Sequence, residues 1–346
     1  MKPTVEPPKK ILAVQSKYFG DAVMMVPALR ALRARWPAAE LHLLLPAEIA
    51  PVLQHLPWIN KVWAIPRRRG RAAAGATWPV LRALRRERFD CAVDFSGNDR
   101  AAILTWLSGA RRRLGRFQSG GFWGRRWCYH QIGAPRAADM HESVQLVSLL
   151  AAWDVPPPAS MELELRSDPA LDAFARKLVP GRPVLGHLST GMLKKEWPVA
   201  AWAGLFRHAS AAGLEMIFSS GVSPRERALL DELQRLAPAA KVLPALPDIR
   251  QFLAVLARAR VFVGGDTGPL HFAAGLGVPT LALYGPTSAK RWAPLGPRHR
   301  VLQGTACTCP GAQGNCTSMN PCLAGLTVET VLAALQTVLA AEVKPA

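Results

Sequence analysis

The chain has 346 residues, of which 50% are hydrophobic and 19% charged, a balance typical of a globular protein and not of a disordered one. Its length favours two domains, and no apolar run approaches the ~20 residues that a membrane-spanning helix needs. The formal net charge of +19 indicates an acidic partner, such as nucleic acid, an anionic lipid surface or a phosphorylated substrate.

In the first half of the chain, short apolar runs alternate with segments of helical periodicity. The predicted strands are 11–14, 41–45, 61–65 and 91–94. The predicted helices are one that ends near Trp36, a short one near 49–53, an arginine-rich one near 78–88 and one at 141–153. This alternation indicates a parallel sheet covered by helices on both faces. Residues 114–135, rich in Gly, Trp and Arg, are predicted to form a long loop.

A second alternating series follows Val155-Pro-Pro-Pro158, whose consecutive prolines indicate a linker. Its predicted strands are 183–188, 214–218, 261–263 and 280–284, and its predicted helices are 199–212, 224–236 and 249–257. We therefore predict an α/β protein of two doubly wound, Rossmann-like domains at 1–154 and 169–346, joined by residues 155–168. A ligand cleft is expected between the domains, and the last helix is expected to pack back on the first domain.

The stretch Val261–Thr280 is the clearest candidate ligand site. A buried strand ends at Gly264-Gly265, and an apolar helix starts after Pro269, with Thr267 placed to cap it. Backbone N–H groups at the start of that helix would bind an anion such as phosphate, and the glycines would allow it to approach closely. The alternative is a turn that only connects a strand to a helix, in which His271 taken singly is a packing residue.

Arginine runs are concentrated between residues 67 and 126. They comprise the segments 67–71, 82–88, 111–113 and 125–126. This asymmetry predicts that the first domain contacts something acidic, with Arg67, Arg111 and Arg112 as candidate contacts. The alternative is that these arginines only cover exposed helix faces.

Three loops follow predicted strand ends: Lys17–Asp21, His187–Pro198 and Gly265–His271. Together with Val26–Leu32, His141-Glu142 and Tyr284–Thr287, their order and spacing resemble the bacterial heptosyltransferases of glycosyltransferase family nine over nearly the whole chain. The resemblance implies a GT-B architecture, transfer of heptose from ADP-heptose to the inner core of lipopolysaccharide, inversion at the anomeric carbon and no metal. The sequence contains no Asp-x-Asp pair that could hold a cation against a diphosphate, which agrees with the last point.

The resemblance also assigns roles to individual residues. Asp21 matches the family's general base, although an aspartate here could instead only cap the following helix. The residues that match donor-binding positions are Ser189, Thr190, Lys195, Glu226, Asp266, Thr267, Gly268 and His271. One extra residue before Lys195 leaves Lys194 as a second candidate, and an exposed helix charge is the alternative for Glu226. Lys17 matches a basic residue of the first loop and is expected on the acceptor side.

A cluster of cysteines lies near the end of the chain, at Cys307, Cys309, Cys316 and Cys322. Their spacing is not that of a standard zinc pair, so reduced structural thiols and a zinc site both stay open. No cofactor is otherwise expected.

The expected partners are the nucleotide sugar and a lipid-linked anionic sugar acceptor, and not nucleic acid. Residues 1–10 are not followed by an apolar segment with a cleavage site, so we expect a cytoplasmic enzyme, peripheral on the inner face of the inner membrane. Two other functions compete with this one. A nucleotide-sugar epimerase of the same fold is disfavoured by the order of the matched loops, and a basic nucleic-acid-binding protein by the lack of a recognised motif.

Overall fold

The computed structural model describes residues 6–68, 71–72, 74–116, 120–137, 139–304 and 322–342, with the side chains at 67–68, 71–72 and 74 excepted. The chain divides into two compact units, Met1–Met161 (unit 1) and Glu162–Ala346 (unit 2). Each unit contains one six-stranded sheet. The division falls inside the segment 155–168, where the prolines indicated a linker.

Unit 1 alternates strands and helices. Its strands are β1 (Lys10–Val14), β2 (Glu40–Pro46), β3 (Lys61–Ile65), β4 (Arg67–Arg68), β5 (Arg71–Ala72), β6 (Cys91–Asp94), β7 (Arg112–Arg116) and β8 (Gln131–Gly133). Its helices are α1 (Phe19–Met24), α2 (Val26–Arg35), α3 (Ala50–Leu53), α4 (Ala74–Glu87), α5 (Asp99–Leu107) and α6 (Glu142–Leu149), with 3-10 turns at Arg125–Cys128 and Leu150–Trp153. The strand pair β4–β5 is a separate antiparallel hairpin.

Unit 2 repeats this alternation. Its strands are β9 (Val184–His187), β10 (Met216–Ser219), β11 (Lys241–Val242), β12 (Val261–Gly265), β13 (Thr280–Tyr284) and β14 (His299–Gln303). Its helices are α7 (Asp172–Leu178), α8 (Val199–Ala211), α9 (Pro224–Leu236), α10 (Ile249–Leu256), α11 (Gly268–Gly275), α12 (Ala289–Trp292) and α13 (Val328–Glu342), with 3-10 turns at Pro169–Leu171 and Leu193–Lys195.

The two sheets have the same topology. The strand order is β3-β2-β1-β6-β7-β8 in unit 1 and β11-β10-β9-β12-β13-β14 in unit 2, and the pairs within both sheets are parallel. The order reverses between β1 and β6 in unit 1, and between β9 and β12 in unit 2. Ligands of such sheets bind outside the carboxyl ends of the strands at this switch point.

The central strands are buried because helices cover both faces of each sheet. Every residue of β6 and of β12 is buried, which explains why these strands are continuous apolar runs and not alternating patterns. In unit 2, Trp202 on α8 packs edge-on against Phe218 on β10, with ring centroids 6.1 Å apart. These rings belong to the main hydrophobic core of that unit.

Several sequence predictions require correction. The segment 114–135 is not one long loop, because it contains β8 and most of β7. The helix predicted to run to Trp36 is two helices that meet at Met25. The last helix, α13, packs on α8 in unit 2, and its apolar side chains join the core of that unit. Leu165, in the predicted linker, is also buried there, and its N–H bonds Gly275 O at 2.6 Å.

Candidate active site

Two buried loops meet at the switch point of unit 1. Ser16 follows β1, and its backbone N–H donates to Ser96 Oγ at 2.7 Å, while its hydroxyl bonds Asn98 Oδ1 at 3.0 Å. Asp94, the last residue of β6, accepts the phenol of Tyr129 at 2.6 Å and the N–H of Ser96 at 2.8 Å. These bonds hold the loop after β6 against the loop after β1.

Asp21 lies in the first turn of α1, directly beyond the loop that follows β1. Its carboxylate is 14% exposed and stands 4.0 Å from Lys17 Nζ. Burial raises the pKa of Asp21 and the charge of Glu142 raises it further, against the lowering effects of Lys17 and of a backbone hydrogen bond from Tyr18. The N-cap of α1 is Tyr18 and not Asp21. The Asp21 carboxylate accepts a hydrogen bond from the Tyr18 backbone, and its pKa is nevertheless raised.

A buried ion pair stands near this carboxylate, and the sequence did not reveal it. Glu142 begins α6, is 1% exposed, and lies 2.8 Å from Arg136 Nη1. Arg116, at the carboxyl end of β7, donates to Gln145 O on the same helix at 2.7 Å. Burial, followed by the charge of Arg136, lowers the pKa of Arg116 to about 10. The motif His141-Glu142 was the only signal for this group, and nothing in it identified Arg136 as the partner.

The predicted acceptor contacts do not all meet at one place. Lys17 lies beside Asp21, and burial is the main cause that lowers its pKa. Arg111 and Arg112 lie at the start of β7, where Arg112 pairs with Cys91, the first residue of β6. They are therefore at the amino edge of the sheet. Because a parallel strand of this length rises about 13 Å, they lie about that far from the carboxyl edge. Arg67 begins the β4–β5 hairpin, and its side chain is outside the described residues.

At the switch point of unit 2, a lysine reaches the end of β12. Lys195 Nζ lies 2.6 Å from Asp266 Oδ2, and the two side chains are 16% and 10% exposed. His271 Nε2, which is on α11, lies 3.9 Å from the other oxygen of Asp266. A Cβ on Gly265 would approach Lys195 O to 2.8 Å, so this close contact requires the glycine. Of the two candidate lysines, Lys195 is thus the one that forms an ion pair with the residue that follows β12.

The two hydroxyl residues after β9 are buried and hold neighbouring loops. Ser189 Oγ accepts the N–H of Gly221 at 2.7 Å. The N–H of Thr190 donates to Glu196 Oε1 at 2.9 Å, and its hydroxyl donates to Met192 O at 2.6 Å. These bonds fix the loop that carries Lys195.

A cavity of about 170 Å³ opens beside the same loops. Its polar lining includes Glu226 and Thr267, and Leu243, Leu246 and Phe252 are among its apolar residues. Glu226 forms a capping box with Ser223 at the start of α9. Although burial opposes the shift, hydrogen bonds from Ser223 hold the pKa of Glu226 below its usual value. Glu226 is therefore a half-buried carboxylate that caps its own helix and lines the cavity.

The turn after β12 starts α11 as the sequence indicated, with one difference. Thr267 is the N-cap residue, but its side chain makes no capping hydrogen bond. Gly268 and Pro269 form the first turn, and since proline has no N–H, the donors near this helix start are few. The hydroxyl of Thr267 lies at the cavity and so stays available to a ligand.

Of the four tail cysteines, Cys307, Cys309 and Cys316 lie outside the described residues, and Cys322 is half-buried. Within the described ranges, no group of three or more His, Cys, Asp or Glu side chains is arranged to hold a metal ion. A search of the same residues finds no helix long and apolar enough to cross a membrane.

With this geometry established, comparison with known proteins identifies the family. The family model described as "Glycosyltransferase family 9 (heptosyltransferase)" matches residues 77–320, which is more than half of the chain. The chain belongs to glycosyltransferase family 9. It is therefore an enzyme of the glycosyltransferase class, as its sequence predicted.

Among relatives of this family 9 protein, lipopolysaccharide heptosyltransferase 2 of Salmonella typhimurium is 24% identical over 315 residues, 85% of this chain and 88% of the relative. A family 9 glycosyltransferase of Veillonella parvula superposes with a TM-score of 0.84 at 18% identity, over 96% of this chain and 98% of that one. An E. coli heptosyltransferase solved with ADP-2-deoxy-2-fluoro heptose superposes with a TM-score of 0.71 at 20% identity, over 95% and 99%. These structural matches confirm the predicted α/β fold of GT-B type.

Proposed function

We propose that this family 9 enzyme transfers heptose from ADP-heptose to a sugar of the lipopolysaccharide inner core. One observation carries the proposal: a half-buried lysine, a helix start and a carboxylate-lined cavity converge at the switch point of unit 2. The names of the relatives, which include lipopolysaccharide heptosyltransferases and one solved with a fluorinated ADP-heptose, support the choice of donor and acceptor.

Unit 2 holds the donor. The adenosine enters the cavity, where the Glu226 carboxylate accepts the ribose hydroxyls and Phe252 contacts the base. The diphosphate lies against Lys195, the Thr267 hydroxyl and the Gly268 N–H, with Ser189, Thr190, Asp266 and His271 around it. Asp266 holds the lysine ammonium at the start of α11, so that the charge is oriented before the donor arrives.

Unit 1 supplies the base. The Asp21 carboxylate takes the proton from the acceptor hydroxyl as that oxygen bonds the anomeric carbon, and the bond to ADP breaks on the opposite face with inversion. A base is most effective when its pKa is close to the working pH, and the raised pKa of Asp21 favours this role. Lys195 and the helix start stabilise the charge that develops on ADP. Because these groups supply positive charge and no Asp-x-Asp pair is present in the sequence, we infer that transfer needs no divalent metal.

The acceptor is anionic and lipid-linked. Lys17 and Arg136 are the basic side chains that lower the pKa of Asp21, so we assign them to the acceptor sugar that reacts. Arg111 and Arg112 at the other sheet edge contact phosphates of the same acceptor that lie farther from the reacting sugar. Such an acceptor requires the enzyme to work at the inner surface of the membrane.

The test is transfer measured by mass spectrometry, with ADP-heptose and a delipidated inner-core acceptor. We expect a product heavier by one heptose, formed equally well with and without a chelator. If a product formed only with another nucleotide sugar, that result would contradict ADP-heptose as the donor. Activity that a chelator removes and magnesium or manganese restores would contradict metal independence.

A further inference from the structure

The surface of unit 1 carries an unusual group of exposed rings. Of the 11 tryptophans of the chain, four are exposed: Trp78, Trp106, Trp123 and Trp127, with exposed fractions of 57%, 53%, 87% and 65%. All four belong to α4, α5 or the segment 120–128. Such rings are costly in water unless they meet a partner.

The segment 120–128 lies against one side of α5. Arg125 Nη1 is 3.3 Å from Asp99 Oδ1, and Cys128 packs with Ala102 in a small buried cluster. Ile103 lies one helical turn after Asp99, and Trp106 lies one turn after Ala102, so both emerge on the same side of α5. Positive φ angles at Gly120, Gly121 and Gly124 (91°, 96° and 93°) set the turns that present Trp123 to solvent.

Helix α4 extends this surface and gives it charge. Trp78, Arg82, Arg85 and Arg86 are exposed and follow one another at helical spacing along one stripe. The guanidinium of Arg85 lies 3.7 Å from the position that a Cβ on Gly109 would occupy, at the turn after α5. The stripe on α4 therefore continues onto α5. We call the exposed rings and arginines of α4, α5 and residues 120–128 the basic aromatic patch.

We propose that the basic aromatic patch docks unit 1 on the surface of an anionic phospholipid bilayer. The inference rests on the proposed function, because a lipid-linked acceptor brings the enzyme to a membrane. Tryptophan rings insert at the headgroup level, where one end of the ring is apolar and the other is wet. The arginines carry their charge to lipid phosphates along apolar stems. The acidic side chain of the patch, Asp99, is already in an ion pair with Arg125.

The ring geometry favours lipid over single-stranded nucleic acid. A base-stacking platform needs open ring faces in succession. Trp123 and Trp127 instead pack edge to face, with centroids 4.8 Å apart and an interplanar angle of 87°. Ile103 on α5, which is 40% exposed, offers an apolar surface that cannot stack on a base. Both features suit shallow insertion among acyl chains.

The experiment is vesicle flotation of the full chain with phosphatidylcholine alone and with added phosphatidylglycerol. We expect binding only to the mixed vesicles and a decrease at high salt. Arg82→Gln/Arg85→Gln/Arg86→Gln should lower the partition coefficient by on the order of 100-fold, since each of the three basic residues contributes about 1 kcal/mol near such a surface. Trp123→Ser/Trp127→Ser should lower it about tenfold, and Trp123→Phe/Trp127→Phe should retain most of it.

Controls separate this proposal from the proposed function. Arg176→Gln/Arg235→Gln/Arg300→Gln removes the same charge from exposed positions of unit 2 and should leave vesicle binding within about twofold of wild type. Transfer to the delipidated acceptor should be unchanged in all patch variants, so a failed transferase assay concerns the function and not the patch. Three results would overturn the proposed docking of the patch on lipid. They are equal binding to both vesicle types, an equal loss in the unit 2 control, and binding to a single-stranded oligonucleotide without binding to vesicles.

Discussion

The two switch points share a topology and differ in charge. In unit 1, the residue presented beyond the first strand is a carboxylate, and its pKa is raised by burial and by Glu142. In unit 2, the corresponding loops present the ammonium of Lys195 and a helix start, and the pKa of the nearby Glu226 is lowered by its capping bonds. The strand order determines where a ligand binds, and in the proposed mechanism the loops determine that unit 1 takes up a proton and unit 2 binds an anion.

The pKa values of Asp21 and Glu226 shift in opposite directions because of the groups around each carboxylate. Burial raises the pKa of Asp21, and Glu142, buried on the facing helix α6, raises it further, whereas Lys17, a backbone hydrogen bond from Tyr18 and Arg136 lower it. The carboxylate of Glu226 receives hydrogen bonds from its own helix cap and sits beside Arg225, so its charged form is favoured. In the proposed function, the same functional group thus serves as a proton acceptor in unit 1 and as a hydrogen-bond acceptor in unit 2.

The largest expected effect comes from removing the base of unit 1. Asp21→Asn keeps the size of the side chain and its bond to the cap backbone but cannot accept a proton. We expect turnover to fall by about 10²–10⁴-fold, the usual contribution of a positioned base, with ADP affinity unchanged. Steady-state transfer and calorimetry measure the two quantities.

A matched control for this variant is Asp172→Asn, which changes an exposed aspartate in the first turn of α7. It should turn over at the wild-type rate. If Asp21→Asn keeps more than half of the wild-type turnover, the general base is another group, and the two switch points do not divide the chemistry as proposed.

A smaller effect is expected from the anion site of unit 2. Lys195→Ala removes an ammonium that is 16% exposed and leaves Asp266 without it. ADP binding should weaken by about 1.5–3 kcal/mol, the range for a hydrogen bond to a charged group. Calorimetry of ADP with both single variants should show a smaller loss for Lys194→Ala, because Lys195 is the lysine paired with Asp266. The reverse order would assign the diphosphate to Lys194.

Much of the fold could be predicted from the sequence, because buried parallel strands are short apolar runs. The strands β3 and β6 and the helix α9 have the predicted bounds. The strand β7 was missed because its sequence, Arg-Arg-Leu-Gly-Arg, has the composition of a loop. It is tolerated in a sheet because Arg113 Nε donates to Cys128 O at 2.7 Å and Arg116 to Gln145 O at the same distance. Those acceptors lie on later segments, so only the folded chain reveals them.

In the candidate site, too, contacts between distant segments could not be predicted from the sequence. Asp21, Lys195 and the turn at Thr267 lie within local motifs, and the sequence alone singled them out. The ion pair of Arg136 with Glu142 acts on Asp21 across more than a hundred residues of chain, and no local pattern connects them. Charge runs were a weaker guide, since Arg111 and Arg112 lie at the sheet edge opposite to Asp21. Local motifs therefore point to the candidate reacting groups, whereas the groups that shift their pKa values depend on packing between distant segments.

The smallest expected effect is a change in the pH dependence of stability, and it tests the raised pKa of Asp21. A carboxyl group whose pKa is higher in the folded than in the unfolded chain binds more protons when folded. Its stabilising contribution is complete below the unfolded value of about 3.9 and is lost as the pH rises through the folded value. At neutral pH the ionised Asp21 therefore lowers the free energy of unfolding, and Asp21→Asn should melt at the same temperature as wild type or higher. Toward acid the difference should shrink and vanish, because the protonated carboxyl is as neutral as the amide of asparagine. Thermal melts of both proteins across that range measure it, and a variant that loses stability only at neutral pH would indicate a carboxylate stabilised by Lys17, with a lowered pKa and little capacity as a base.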